Sequence, residues 1–297
     1  MTIPKTPFTR AQALDLGITP HDWRMLRHDG LVRRMVGGVF VDAALTDTVD
    51  LRVAAVELIL PGDAVVGRRT ATWMRGLDVH DHRGYPATPP VDVLTRTRES
   101  RPRMGIVQSH MADDLHDDDI TVMGGLQVTT PLRTTTDMSR FYREVDGLVV
   151  MDHFLHTGVL TKDQIEDTFP RWARRRGVQQ LRNVHRLSDP LSASPGESST
   201  RYRVYLMGLP RPTLQIPIED PLGRPRFYID MGWKQWRAGI EFDGVEFHPP
   251  ERAEHDQARR LWIAGRGWVL VVVRKEQVFS RSDEFERLVM EMMAKVR

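Results

Sequence analysis

The chain has 297 residues, 40% of them hydrophobic and 28% charged, with no cysteine and a formal net charge of +2. At roughly 100–200 residues per domain this length suggests two or three domains, and the composition excludes a disordered chain. The missing cysteines exclude disulfides, thiolate metal sites and a cysteine nucleophile; no apolar run reaches the ~18 residues of a membrane span. The opening "MTIPKTPFTR" lacks a signal-peptide core, so a cytoplasmic protein with no membrane partner is expected.

Charge is unevenly placed. Residues 1–41 carry six basic side chains against three acids, and a second basic cluster, "RWARRRGVQQLRNVHR", includes Arg174, Arg175 and Arg176. Local basic patches on a near-neutral chain fit nucleic-acid binding, here phosphate tracking. The alternative for the second cluster is a solvated helix face.

In chain order, Thr9 should cap a short helix, "RAQALDL", that stops at Gly17. Thr19 followed by Pro20 marks the start of a second helix, which ends at Gly30. "LVRRMVGGVFV" reads as a hairpin around Gly37-Gly38. Helix, turn, helix and hairpin is the order of a winged helix-turn-helix, whose second helix enters the major groove of double-stranded DNA. That helix would offer His21, Arg24, Arg27 and His28, and the wing Arg33 and Arg34. A helix-hairpin subdomain without DNA contacts is the alternative. Winged-helix proteins commonly bind as dimers, so a homodimer is an expected partner state.

"GLVRRMVGGVFV" resembles the N-terminal winged helix of AbiEi-type antitoxins. That resemblance implies promoter binding and a cognate toxin protein as partner. "TVDLRVAAVELIL" and "GRRTATWMRGL" read as helices, and residues 80–103 as loop around a strand, "VDVLT". "LQVTTPLRTTTDMSRF" reads as a strand running into a helix near Pro131. It resembles a block found behind the winged helix in actinobacterial relatives, at Leu126, Val128, Thr129, Pro131, Arg133, Thr134 and Asp137. "HMADDLHDDDI" (110–120) could ligate a divalent ion, but consecutive charges read more simply as a solvated acidic loop.

The Ser- and Pro-rich "SDPLSASPGES" (188–198) marks a domain boundary. The expected division is a winged helix over 1–46, an α/β middle region over 47–188 and a mixed sheet flanked by helices over 189–297, an α+β and α/β multidomain protein. The last region reads α-β-β-β-α-β-α. Strand side chains alternate between faces, so in "AGIEFD" Glu241 and Asp243 share the face opposite Ile240 and Phe242. Asp230, in the preceding strand, can join them at one end of the sheet. Converging carboxylates repel unless a cation sits among them, and oxygen donors suit Mg2+ or Mn2+.

The blocks "SPGESSTRYRVYLMGLPRPTLQ", "FYIDMGW", "IEFDGVEFH" and "DQARRLWIAGRGWVLVVV" resemble PD-(D/E)XK restriction-endonuclease-like nucleases, more narrowly very-short-patch-repair-like endonuclease domains. The resemblance covers about 194–275. It implies metal-dependent phosphodiester hydrolysis, with Asp230 and Glu241 as metal ligands, Glu197 as the helix acid and the backbone carbonyl of Phe242 as a further ligand. Asp243 and His248 belong to the narrower family's site, and Asp256 and Arg259 to the helix behind the sheet. Asp243 stands where the general motif carries lysine, and Arg201 could supply the cation instead. Two alternatives stay open: Glu241 and Asp243 as structural acids paired with backbone or with Arg259, and an antitoxin-like transcriptional regulator whose nuclease fold no longer cuts.

Overall fold

The computed structural model describes residues 2–60, 64–79, 90–97, 105–244 and 250–296, with the side chains of 250–256 set aside. The chain divides into two compact units, Met1–Tyr142 and Arg143–Arg297. It is a mixed α/β protein with several sheets. No helix among the described residues is long and apolar enough to cross a membrane.

The first unit opens with β1 (Phe8–Thr9), α1 (Arg10–Asp15) and α2 (Pro20–His28), followed by the hairpin β2 (Val32–Val36) and β3 (Val39–Asp42). Thr9 and Thr19 each close a capping box, with Gln12 and Asp22, so two amide donors are satisfied at each helix start. Gly17 and Gly30 end the helices with φ of 85° and 67°, a region that glycine enters without steric cost. β1 adds a third strand beside β3. Trp23 packs edge-on against Phe40, 4.7 Å between centroids, within a core of Phe8, Ala13, Ile18, Leu26 and Val32.

Next come α3 (Val49–Glu57), β4 (Val65–Val66), α4 (Arg68–Met74), β5 (Val91–Thr95), β6 (Val107–Met111), β7 (Ile120–Met123), β8 (Leu126–Thr129) and α5 (Pro131–Phe141). The five strands form a mixed sheet in the order β6-β5-β4-β8-β7. The hairpin residues Met35, Val36, Val39 and Val41 share one core with Val53, Val56, Met74, Val91 and Leu126. The expected boundary between 46 and 47 therefore runs through continuous packing. Most of 80–103 lies outside the described residues.

The second unit starts with α6 (Glu144–His156), α7 (Lys162–Glu166), α8 (Val178–Leu187) and α9 (Pro195–Leu206). The Ser- and Pro-rich stretch belongs to this unit and is tied down. Ser188 and Ser192 are buried, the Asp189 N–H donates to Asp152 Oδ1 at 2.8 Å, and Ser192 Oγ lies 2.9 Å from Ser198 Oγ. Serine here answers buried polar groups, which composition does not distinguish from a flexible connector.

Then follow β9 (Thr213–Glu219), β10 (Pro225–Trp233), β11 (Ala238–Asp243), α10 (Pro250–Ala264), β12 (Val269–Arg274), α11 (Lys275–Phe279) and α12 (Glu284–Ala294). The sheet order is β12-β11-β10-β9, antiparallel except for the parallel pair β11/β12. One core, under α9 and α12, takes Ala238, Ile240, Val273, Phe285 and Val289. The other, under α10, takes Ile263, Trp262 and Leu270.

β9 and β10 change cores midway. Leu214 and its partner Met231 belong to the first core, while Ile216 and its partner Ile229 belong to the second. Residues two apart normally share a face. The reversal sits at Gln215, whose φ is 46°, and opposite it at Asp230.

Candidate functional site

Asp230 occupies that crossover. The β10/β11 ladder runs from Trp233↔Ala238 to Met231↔Ile240, and one step further the Phe242 N–H donates to Asp230 Oδ2 at 2.8 Å. Glu241, buried at 8% exposure, lies on the α10 face of β11. Arg259 of α10 reaches it with Nη1 on Oε2 at 2.7 Å and places Nη2 on the Tyr228 carbonyl at 2.6 Å. Glu241 Oε1 is buried with no hydrogen-bond partner.

Glu197 approaches from the first turn of α9. Gly196 makes this possible: a Cβ there would sit 1.9 Å from the Phe242 ring, so only glycine lets the helix start lie so close to the strand. Both Glu197 oxygens serve the helix cap. Oε1 accepts from Ser194 Oγ at 3.0 Å, and Oε2 accepts from the Ala193 N–H at 3.0 Å and from Gln215 Nε2 at 3.3 Å. The strained Gln215 backbone thus aims an amide at the acid nearest the sheet.

Burial pushes the Asp230 carboxyl up to about 6; the Phe242 N–H opposes this, Glu197 and Glu241 reinforce it, and Arg259 partly offsets them. Taking a carboxylate from water disfavours its charged form, and neighbouring like charges add to that. The site is therefore short of positive charge by what Arg259 alone cannot supply.

The remaining expected site residues separate. Arg201 does not supply the cation: it is buried on α9, pairs with Asp152 and donates to the Leu187 carbonyl. Arg259 takes that place. Asp243, at the end of β11, stands in register with Arg274 of β12. His248 lies outside the described residues, as does the side chain of Asp256. Among the described residues, no three His, Cys, Asp or Glu side chains are grouped so that they could hold a metal ion as they stand. The fit to a hard divalent ion therefore rests on two acids, Asp230 and Glu241, with Glu241 Oε1 as the buried oxygen awaiting a partner.

Around Glu241 the sheet carries a cationic and aromatic ladder that sequence reasoning missed. Arg226 lies over Trp262 and Phe227, at 5.1 and 5.5 Å, and Arg259 over Phe227 at 5.6 Å. Arg266 stacks on Trp262 at 3.1 Å. The close sequence spacing of Trp262, at the end of α10, and Arg266, in the turn after it, was the available signal.

In the first unit, His21, Arg24, Arg27 and His28 are exposed on α2, opposite buried Trp23 and Leu26. Arg27 leans over Phe40 at 5.8 Å, and His28 Nδ1 lies 3.0 Å from Asp29. Arg34 is exposed, whereas Arg33 is half-buried and donates to the Leu45 carbonyl. Arg174, Arg175 and Arg176 are exposed on turns before α8, not on a helix face.

The acidic run 110–120 is a solvated loop only in part: Asp113, His116, Asp117 and Asp118 are exposed, whereas His110, Asp114 and Asp119 are tied into the fold. Asp114 and Asp119 pair with buried Arg133, which also holds Asp137. His110 Nδ1 lies 2.7 Å from Arg68 Nη1 and its Nε2 lies 2.6 Å from buried Asp92. Arginine can only donate, so Nδ1 accepts and Nε2 carries the proton toward Asp92. Both ring nitrogens are used, which fits a structural relay and leaves none for a metal.

No family model matches the chain. Two Mycobacterium tuberculosis relatives, "Uncharacterized protein Rv2248" (strain ATCC 25618 / H37Rv) and "Uncharacterized protein MT2308" (strain CDC 1551 / Oshkosh), are each 26% identical over 254 residues, covering 85% of this chain and 89% of their own length. That span is longer than either compact unit, so the likeness extends over both.

Proposed function

We propose that the protein binds double-stranded DNA through its N-terminal helix-turn-helix and hairpin, read as a winged helix, and hydrolyses phosphodiester bonds in a restriction-endonuclease-like second unit. The observation that supports this most is the crowding of Asp230 and Glu241 where the pairing of β10 with β11 stops, with one carboxyl pushed up to about 6 and an oxygen of the other buried without a partner. Such arrangements are costly in a purely structural setting and recur where charge is used.

Asp230 and Glu241 would hold Mg2+ or Mn2+, with the Phe242 carbonyl as a third oxygen. Bound there, a hard divalent ion supplies charge neutralisation and an acidified water to phosphodiester hydrolysis. Glu197 shapes the pocket from the helix cap, the Phe242 N–H orients Asp230, and Arg226, Arg259 and Arg266 attract the phosphates of the strand. The exposed α2 side chains His21, Arg24, Arg27 and His28 would meet the major groove. The test is nicking of supercoiled plasmid with Mg2+ or Mn2+. Asp230→Asn and Glu241→Gln should each lower the rate by about 100-fold or more; undiminished cutting by both variants would falsify the assignment.

A second reading is an antitoxin-like regulator whose second unit binds without cutting. The Glu241–Arg259 pair at 2.7 Å favours it, since an arginine already satisfies one acid oxygen. Salt-sensitive promoter binding without cleavage on any duplex or single-stranded substrate would establish this reading over the first.

A further inference from the structure

A cavity of about 230 Å³ opens in the second unit between α8, α9 and the segment 209–212. It is distinct from the acid site, and no residue of it served the hydrolysis argument. Its walls are unusual in combining flat aromatic surface with cations. Tyr202 and Tyr205 present rings 6.1 Å apart, tilted by 38°, while Leu148 and Leu187 close the apolar floor.

Each aromatic wall is held in place. Tyr202 donates its hydroxyl to Glu144 Oε2 at 2.8 Å. Arg186 lies 5.6 Å over the Tyr205 ring and reaches its hydroxyl at 3.3 Å. Tyr205 itself remains 37% exposed, so its ring is available to a stacking partner.

Arg186 and Arg211 both line the cavity. Arg211 is anchored by the Arg186 and Ser188 carbonyls and by Asp189 Oδ2 at 3.0 Å. Lys162 donates to the same Ser188 carbonyl, and burial, with Arg211 adding to it, pulls its ammonium below the usual lysine range. Lys162, Arg186, Arg201 and Arg211 thus stand near three carboxylates, Asp152, Asp189 and Glu144, which leaves one cation in excess. In the wall, Arg201 contributes a buried Nε–H with no acceptor, although the rest of its guanidinium is paired. An orphaned buried donor costs stability until something accepts from it.

A volume below the roughly 300–1,000 Å³ of drug-sized clefts admits one ring system. Aromatic walls select a flat ring, and the cations select an anion attached to it. We propose that this cavity binds a nucleobase bearing a phosphate, with the base stacked on Tyr205 and the phosphate against Arg186 and Arg211. The source of that ligand, an unstacked base of a single strand, rests on the nucleic-acid reading; a free mononucleotide would present the same chemistry.

The test uses the full chain in EDTA, so that hydrolysis plays no part. One arm titrates a single-stranded oligonucleotide carrying one 2-aminopurine and reads its fluorescence; the other titrates dAMP by calorimetry. Binding should quench 2-aminopurine, weaken at least fivefold in Tyr205→Ala and recover in Tyr205→Trp. Arg211→Gln should weaken binding and lower the salt slope by about one. Response of the oligonucleotide alone assigns the site to a strand, and response of dAMP with the same variant pattern assigns it to a mononucleotide. Absence of binding in both arms, or equal binding by the wild type and a folded Tyr205→Ala, overturns the proposal. Tyr205-dependent binding in a protein that cuts nothing would sink the nuclease reading and leave this one standing.

Discussion

Both units bury several carboxylates together, and they treat them in opposite ways. In the first, Asp114, Asp119 and Asp137 surround one arginine, Arg133, which is 2% exposed and donates to all three at 2.8–3.1 Å. In the second, Asp230 and Glu241 meet with one arginine on a single oxygen; a buried carboxylate oxygen without a hydrogen-bond partner occurs in both clusters, Asp137 Oδ1 and Glu241 Oε1, so the difference lies in how many guanidinium contacts reach the acids, Arg140 adding to Arg133 in the first. Acidic residues in a core thus have two meanings. Where a guanidinium fork reaches each acid, the cluster locks a loop to a helix. Where fewer guanidinium groups reach the acids, burial and like-charge repulsion keep one carboxyl protonated to higher pH.

The contrast can be broken at its structural end first. Arg133→Met leaves the buried Asp119 and Asp137 and the half-buried Asp114 without their common partner and should cost about 3–5 kcal/mol in urea unfolding. A loss under 1 kcal/mol would mean that the cluster is solvated after all.

At the other end, Asp230 makes the opposite prediction. Its folded pKa, about 6, lies above the ordinary 3.8, so between these values the folded state binds more protons than the unfolded. Its stabilising contribution is present below about pH 4, is lost as pH rises through 6 and stays lost above. Asp230→Asn should therefore stabilise the protein at pH 7.5 by about 2 kcal/mol, allowing for partial exposure, and by little at pH 4. Asp152, pushed up to about 6 by burial, titrates in the same window, so the difference between wild type and variant is the quantity to measure. Mn2+ should raise the melting temperature of the wild type at pH 7.5 and leave Asp230→Asn unmoved.

A sharper probe removes the arginine paired with Glu241. Arg259→Ala leaves Glu241 unpaired and should lower stability by about 2–3 kcal/mol without metal. It should also lower the Mn2+ concentration needed for half-maximal thermal shift severalfold, because the ion no longer competes with a guanidinium. Unchanged metal dependence would place the ion elsewhere. The smallest effect belongs to the first unit's surface: Arg24→Ala and Arg27→Ala should each reduce the salt slope of DNA binding by about one, with stability within about 0.5 kcal/mol of the wild type.

Local signals carried much of the fold. Thr9, Thr19 and Pro20 announced two helix starts, Gly17 and Gly30 two ends, and Gly37-Gly38 a hairpin, because caps and turns are settled within a few residues. The alternation in "AGIEFD" placed Glu241 opposite Ile240, as observed. What depended on distant partners was not legible. Nothing near Arg201 foretold Asp152, 49 residues away, and nothing in the acidic run foretold Arg133. Gln215 carries no residue-type signal for its left-handed backbone, so the change of core between Ile229 and Met231 was invisible, and so was the reason Asp230 lies at the fold's crossing point.

Gly196 turns the sheet into a gauge for the helix. With room for no Cβ between Gly196 and the Phe242 ring, the first turn of α9 cannot come closer without moving β11. How near Glu197 comes to the sheet acids is consequently limited by one contact, a missing methyl group against a benzene ring, while the pairing of β10 with β11 spaces Asp230 and Glu241. Enlarging the glycine to alanine would force the helix start away from the Phe242 ring, changing the reach of Glu197 toward the sheet acids while altering none of them.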